Sequence, residues 1–128
     1  MLPDHQPDAR LRVPADGSYL TVLRTATSGL ATRIHFTLED IEDLRIAVDE
    51  ACAILLGQAL PDADLECAFW VDEASMTIEV ATTCESPRAP SEHGFAWRVL
   101  SALTHEAATR VDGNRLVVTL TSNTGQPS

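Results

Sequence analysis

An α/β sandwich, with a mainly antiparallel sheet covered on one face by three helices in the order β-α-α-β-β-α-β-β, follows from three features of this sequence. Three segments, beginning near Leu20, Leu38 and Phe95, repeat apolar residues at three- and four-residue steps, the period of a helix face. Between and around them lie short runs rich in strand formers. Two pairs of those runs are joined by Asp72-Glu73-Ala74-Ser75 and by Asp112-Gly113-Asn114, connections short enough for antiparallel hairpins. At 128 residues the chain suits one domain built of two packed layers.

Taken in order, the polar start with Pro3 and Pro7 reads as a flexible tail over residues 1–9, and the domain occupies 10–121. Leu11-Arg12-Val13 is a short first strand. Asp16-Gly17-Ser18 supplies caps for a first helix on Leu20, Leu23, Ala26 or Thr27, Leu30 and Ala31, with Val22 widening its buried face and the end near Arg33. The second helix, TLEDIEDLRIAVDEACAILL from Thr37 to Leu56, buries Leu38, Ile41, Leu44, Val48, Ala51 or Cys52, and Leu55. Thr37 and Asp40 form a variant capping box, and Gly57 is its stop. Leu65–Val71 and Met76–Ala81 are the next strands, the latter with Thr77, Glu79 and Ala81 on a polar face. CESPRAPSE, from Cys84 to Glu92, is an irregular loop. A third helix then carries Phe95, Val99, Leu100, Leu103 and Ala107 as its stripe with Trp97 beside it, and two strands around Asp112-Gly113-Asn114 close the domain. Residues 122–128 are a second tail.

A formal net charge of −10 argues against nucleic acid as a direct partner, because phosphate binding needs a basic patch and the nine arginines are dispersed along the chain. A protein partner suits that field better. Cys52, Cys67 and Cys84 are odd in number, lack metal-ligand or redox spacing, and sit in or beside apolar runs, which points to buried reduced thiols and a cytoplasmic location. Neither an export signal nor a membrane-spanning run is indicated. His105-Glu106 lacks the second histidine that a zinc-protease helix needs, since Thr109 stands there, so no metal site is expected. His93 is read as a loop histidine. Trp70 and Trp97 are candidate partner anchors, at least one of them belonging to the core.

The order of elements, the phrase LRIAVDEAC on the second helix, GFAWRVLSAL and the closing hairpin together resemble the anti-sigma factor serine-protein kinases of the RsbW and SpoIIAB type, within the GHKL (histidine-kinase-like, Bergerat) ATPase fold, over roughly Leu11 to Thr121. The actinobacterial members are the ones it resembles in particular. The resemblance implies an anti-sigma factor that sequesters an alternative sigma factor, as in a stress response, and is relieved by an anti-anti-sigma antagonist. It implies a homodimer through the sheet, for which the strand Arg10–Val13 suits edge pairing. On the same footing Glu50 matches the general base of active kinases, and Arg24 matches the sigma-contacting arginine of the first helix. Read from its residues alone, Glu50 is one acid on a solvated helix face and Arg24 an ordinary surface arginine. Glu39, Glu42 and Asp43 form an acidic patch that suits either a basic sigma segment or plain solvent.

The departures from the family pattern lie in the nucleotide site. Active members carry an Asn one helical turn after the Glu, as a magnesium ligand; here Ile54 offers no lone pair. The Asp-x-Gly-x-Gly motif is replaced by Thr83-Cys84-Glu85-Ser86-Pro87, and the six glycines make no GxG pair. The glycine box opening the third helix is half kept, as Gly94-Phe95-Ala96-Trp97, with a Cβ at Ala96 where backbone would meet phosphate. The expectation is a degenerate kinase without cofactor, Glu50 being vestigial. The alternative is an active serine-protein kinase using ATP and magnesium, which would have to hold its nucleotide through groups around Glu85, Arg88 and Gly94.

Overall fold

The computed structural model describes residues 2–124. Strands β1 (Ala9–Pro14), β2 (Asp64–Val71), β3 (Ser75–Thr83), β4 (Glu106–Asp112) and β5 (Arg115–Asn123) form one sheet in the order β1-β2-β3-β5-β4, every neighbour antiparallel. Helices α1 (Leu20–Ala31), α2 (Leu38–Leu56) and α3 (Phe95–Leu103) cover one face. The architecture is the α/β sandwich expected, with three helices and the same order of elements, and it is consistent with the GHKL fold.

α2 is the middle helix. It packs against α1 on one side, α3 on the other, and β3 and β5 beneath. Its start is set by the reciprocal capping box, Asp40 N–H to Thr37 Oγ1 and Thr37 N–H to Asp40 Oδ2, each 3.0 Å. Leu44, Ala47, Val48, Ala51, Cys52 and Leu55 face the sheet and are buried. They meet Leu65, Cys67 and Phe69 of β2, Met76, Ile78 and Val80 of β3, and Leu116, Val118 and Leu120 of β5 in one core.

Several apolar residues assigned to buried stripes lie elsewhere. Leu38 is 87% exposed and Phe95 is 77% exposed, because each is the first residue of its helix and projects past the neighbouring element. Val22 is also exposed, so the buried face of α1 narrows to Leu23, Thr27 and Ala31. Buried Thr27 is satisfied by donating to Leu23 O at 2.8 Å. α1 ends at Ala31 rather than near Arg33, and Asp16 caps the 3-10 turn Gly17–Tyr19 that precedes it. α3 stops at Leu103, where Thr104 Oγ1 donates to Leu100 O at 2.6 Å, and Ala107 belongs to β4. Gly57 does cap α2, but with φ −66° and helical backbone, so it does not act through left-handed freedom.

The N-terminal residues expected as a tail make contacts with the sheet. Asp8 N–H donates to Phe69 O at 2.7 Å, Val71 N–H to Asp8 Oδ2 at 2.7 Å, and Trp70 Nε1 to His5 O at 2.8 Å. Residues 125–128 of the C-terminal tail lie outside the described residues, while Ser122 and Asn123 complete β5.

Only Gly113 has a positive φ among the described residues, +61°, at the first position of the two-residue turn between Asp112 and Arg115. That pattern is the II′ hairpin turn. Because a Cβ at Gly113 would meet nothing within 4 Å, replacement by Ala tests backbone strain alone. Gly113→Ala is expected to lose about 1 kcal/mol. Gly29→Ala, equally open but inside α1, is expected to gain up to about 1 kcal/mol from helix propensity. Urea unfolding of the two variants should therefore shift the midpoint in opposite directions.

Candidate functional site

The expected site residues fall on three separate parts of the surface. On the outer side of α1, Arg24 Nε donates to Asp49 Oδ1 of α2 at 2.7 Å, and both side chains are 37% exposed. The partnership holds the guanidinium above its ordinary pKa, through the hydrogen bond first and the charge second. One turn of α2 earlier, Arg45 Nη1 meets Glu42 Oε2 at 3.2 Å, while its Nε is buried without a hydrogen-bond partner. Arg24 and Arg45 border a shallow groove of about 520 Å³ whose other walls are Thr21, Thr25, Ser28 and Gly29 of α1 and Thr32, its C-cap. The groove was not legible as a unit in the sequence. Thr21, Thr25, Ser28 and Thr32 do recur at helical steps opposite the apolar stripe, and that recurrence was its signal.

Asp43 lies apart from this groove. With Asp40 it lines a smaller cleft of about 160 Å³ facing Leu103, Thr104, His105, Ser122 and Asn123. Glu39 is exposed in the first turn of α2. The acidic residues Glu39, Glu42 and Asp43 are thus split between two sides of the helix, with Glu42 committed to Arg45.

Glu50 is the residue after Asp49 and points about 100° around the helix from it, away from Arg24. It is half-exposed, and Ile54, one turn on, packs partly against the core. Glu85 is exposed in the loop after β3, and Gly94 is the N-cap of α3 with extended backbone at φ −82°. The loop is tied to the end of α2 by a reciprocal pair, Gln58 Nε2 to Arg88 O at 2.8 Å and Arg88 N–H to Gln58 Oε1 at 2.9 Å. Leu60 N–H to Thr83 O at 3.0 Å and Cys84 N–H to Asn114 O at 2.7 Å fix its root. Gln58 went unnoticed in the sequence because a side-chain amide bridging thirty positions leaves no local pattern.

The donor set around Glu50 does not fit a magnesium–nucleotide complex. Ile54 brings hydrocarbon where a second oxygen ligand belongs. Ala96 brings a Cβ to the start of α3, and the backbone of Arg88 in the preceding loop is already hydrogen-bonded to the Gln58 side chain just past α2. The clefts lined by Arg24 and by Asp43, and a third on the open face of the sheet, include none of Glu50, Ile54, Glu85 and Gly94. Among the described residues no group of three or more His, Cys, Asp or Glu side chains is placed to hold a metal ion, and no helix is long and apolar enough to cross a membrane.

No protein-family model matches the chain. Its similarity to individual proteins is clear. It is 32% identical over 105 residues to the anti-sigma-F factor RsbW of Mycobacterium tuberculosis, an alignment covering 82% of this chain and 62% of that protein. It is 35% identical over 79 residues to the serine-protein kinase RsbW of Bacillus velezensis, covering 59% and 49%. With the serine-protein kinase RsbW of Halalkalibacterium halodurans it shares 36% over 84 residues, covering 64% and 52%. The chain is of the RsbW and SpoIIAB type. It spans about half to three-fifths of the length of these relatives.

The cysteines of this RsbW-type chain are structural. Cys52 and Cys67 sit in the core, and burial pushes the Cys52 thiol up to about 12 and the Cys67 thiol higher still. Cys84 is raised in the same direction by burial. Because the folded-state values exceed the unfolded one, the protonated thiols contribute stability that is fully present below about pH 9 and declines as pH rises from there toward 12. Stability against urea should fall by about 1.4 kcal/mol per pH unit for each such thiol in that window. Cys52→Ala should show a slope shallower by about that amount.

Proposed function

We propose that this chain is an anti-sigma factor that sequesters an alternative sigma factor by direct protein binding through the α1–α2 surface around Arg24, and that an anti-anti-sigma protein relieves it by competition. The observation that carries the reading is the Arg24–Asp49 pair. A carboxylate from the neighbouring helix holds the guanidinium in place at the edge of an open groove, its remaining N–H donors available. Arginine so pre-organised is the residue type most often found anchoring an interface. Thr21, Thr25, Ser28 and Thr32 offer small polar side chains along α1 and Gly29 offers none, which lets a partner backbone approach closely. The name of the mycobacterial relative, an anti-sigma-F factor, supports the same reading. Glu39, Glu42 and Asp43 are secondary candidates for contact with a basic segment of the partner.

In this reading release needs no phosphoryl transfer, since Ile54 and Ala96 leave magnesium and phosphate without their usual partners. The protein then acts in the cytoplasm without a cofactor. Calorimetric titration with the sigma factor encoded beside this protein is expected to show association. Arg24→Glu should weaken that association at least tenfold while leaving the urea midpoint within about 0.5 kcal/mol of wild type. Absence of association with wild type would refute the assignment.

A second reading, an ATP- and magnesium-dependent serine-protein kinase, is favoured by one observation: Glu50 is half-exposed on α2 and free of the Arg24 pairing that occupies Asp49. The kinase names of the Bacillus and Halalkalibacterium relatives favour it as well. The two readings separate on one titration. With magnesium and labelled ATP, no binding up to millimolar nucleotide is expected. Saturable binding, with phosphorylation of the antagonist lost in Glu50→Gln, would establish the kinase instead.

A further inference from the structure

We propose that Leu38 is the apolar anchor of the α1–α2 surface, and that the segment seated there is an amphipathic helix of the sigma factor. An apolar side chain of that helix covers Leu38, and hydrogen-bond acceptors two and three turns along it reach Arg45 and Arg24. The inference rests on the sigma-binding reading of this surface and names the residue and the segment which that reading leaves open. Leu38 is 87% exposed, more than any other large apolar side chain among the described residues. It is nonetheless fixed in place. As the first residue of α2 it lies inside the reciprocal capping box of Thr37 and Asp40, which holds the backbone on both sides of it. A side chain on a backbone already ordered loses little further freedom when a partner covers it.

The helix period places Leu38 in line with the groove. At about 100° per residue, Leu38, Glu42, Arg45 and Asp49 fall within an arc of about 60° on the side of α2 that meets α1. Glu42 holds Arg45, and Asp49 holds Arg24. Read from its start, the line is an exposed apolar residue, a held guanidinium about 10 Å on, and a second one about 16 Å on. The α1 wall runs alongside in the opposite direction, with Arg24 against Asp49 at one end and Thr32, its C-cap, toward Leu38 at the other. Ile46, 43% exposed, borders the same line and widens its apolar part. Phe95, 77% exposed, opens α3, which packs on the side of α2 away from α1.

This surface selects a helix. Its walls are two helices whose backbone groups are bonded internally, so an extended segment laid between them would leave the N–H and C=O groups of its inner side without partners. A helix satisfies its own backbone and presents side chains alone. The line of about 16 Å is three turns of such a helix. Small side chains at Thr21, Thr25 and Ser28, and none at Gly29, leave room for it against α1. The polar half of the match is set by direction and not by net charge. Each guanidinium is balanced by its α2 carboxylate, so the groove presents N–H donors at fixed places. Acceptors seven and eleven positions from the apolar residue lie on one helical face with it and meet both. Acids elsewhere on that helix would face the acids of α2 in a chain of net charge −10, so acceptors are called for at those positions alone.

Calorimetric titration of the full chain with the sigma factor encoded beside it tests the anchor. Leu38→Ala should weaken association at least tenfold with the urea midpoint unchanged, and Leu38→Met should keep it within a few-fold of wild type. Phe95→Ala, a comparably exposed residue off the line, should bind as wild type does. Photo-crosslinkers attached through Leu38→Cys and Ser28→Cys, the three native thiols being buried, should capture one partner helix at positions about seven apart. Undiminished binding of Leu38→Ala beside lost binding of Arg24→Glu overturns this inference and leaves the sigma-binding reading standing. A greater loss in Phe95→Ala than in Leu38→Ala, or capture of an extended segment, overturns it equally. Absence of association with wild type removes the reading and the inference together.

Discussion

All three helices lie on one face of a five-stranded sheet, so the other face has to be closed by the sheet's own side chains. The remainder of the structure answers to that constraint. On the helix side the solution is conventional, an apolar stripe of α2 set into β2, β3 and β5. On the open side the central residues are small, Ala68, Ala81, Val117 and Thr119, yet all are buried. Long side chains from flanking positions cover them. Arg115 of β5 reaches Glu66 of β2 and must cross β3; Arg110 of β4 reaches Glu79 of β3 and must cross β5. Half-exposed ion pairs contribute little by attraction alone. Their use here is to lay aliphatic stems across the small residues, which would otherwise face water. Trp70 is sealed by a related device, its indole N–H bonded to the N-terminal segment.

α2 distributes its acids by rotation around the helix axis. Asp49 faces α1 and holds Arg24, Glu50 turns toward the side of α3, and Cys52, a turn on from Asp49, points into the core. A one-residue step thus separates the groove side of α2 from the side that carries Glu50. A change at Ile54 leaves the Arg24–Asp49 pair untouched, because the two lie on different sides of the same helix. An interaction surface can therefore outlast the chemistry beside it, provided the core stripe that holds α2 in register is kept.

Much of this was legible in the residues. The capping box at Thr37 and Asp40 and the long periodic run behind it located α2 to within a residue, since both are local signals. The order of elements followed from the same periodicities. Leu38 and Phe95 were misread because period alone does not say where the neighbouring element ends; each satisfies the helical stripe and then projects beyond its partner. The polar face expected for β3 was half wrong for another reason. Thr77 and Ala81 are buried by arginines and a tail contributed from distant parts of the chain, and strand register, which sequence does not display, decides that. The same holds for the arginine cluster. Dispersed along the chain, it reads as no basic patch, yet the ladders bring Arg10, Arg12, Arg110 and Arg115 onto one face. Arg24 stood out through the family resemblance, whereas its partner Asp49 and the groove beside it needed the helix pairing.

The α1–α2 groove and the open face of the sheet lie on opposite sides of the β-layer. The groove beside Arg24 belongs to the helix layer, and the free edge of β1 with its arginines belongs to the opposite face. Their electrostatic settings also differ. The groove lies beside the acids of α2, where Glu42 and Asp49 each hold one arginine in place, so a partner there meets directed donors within a negative surround. On the open face arginines and carboxylates are interspersed, Arg12 lying 3.7 Å from Glu66 and Arg10 donating to Gln6.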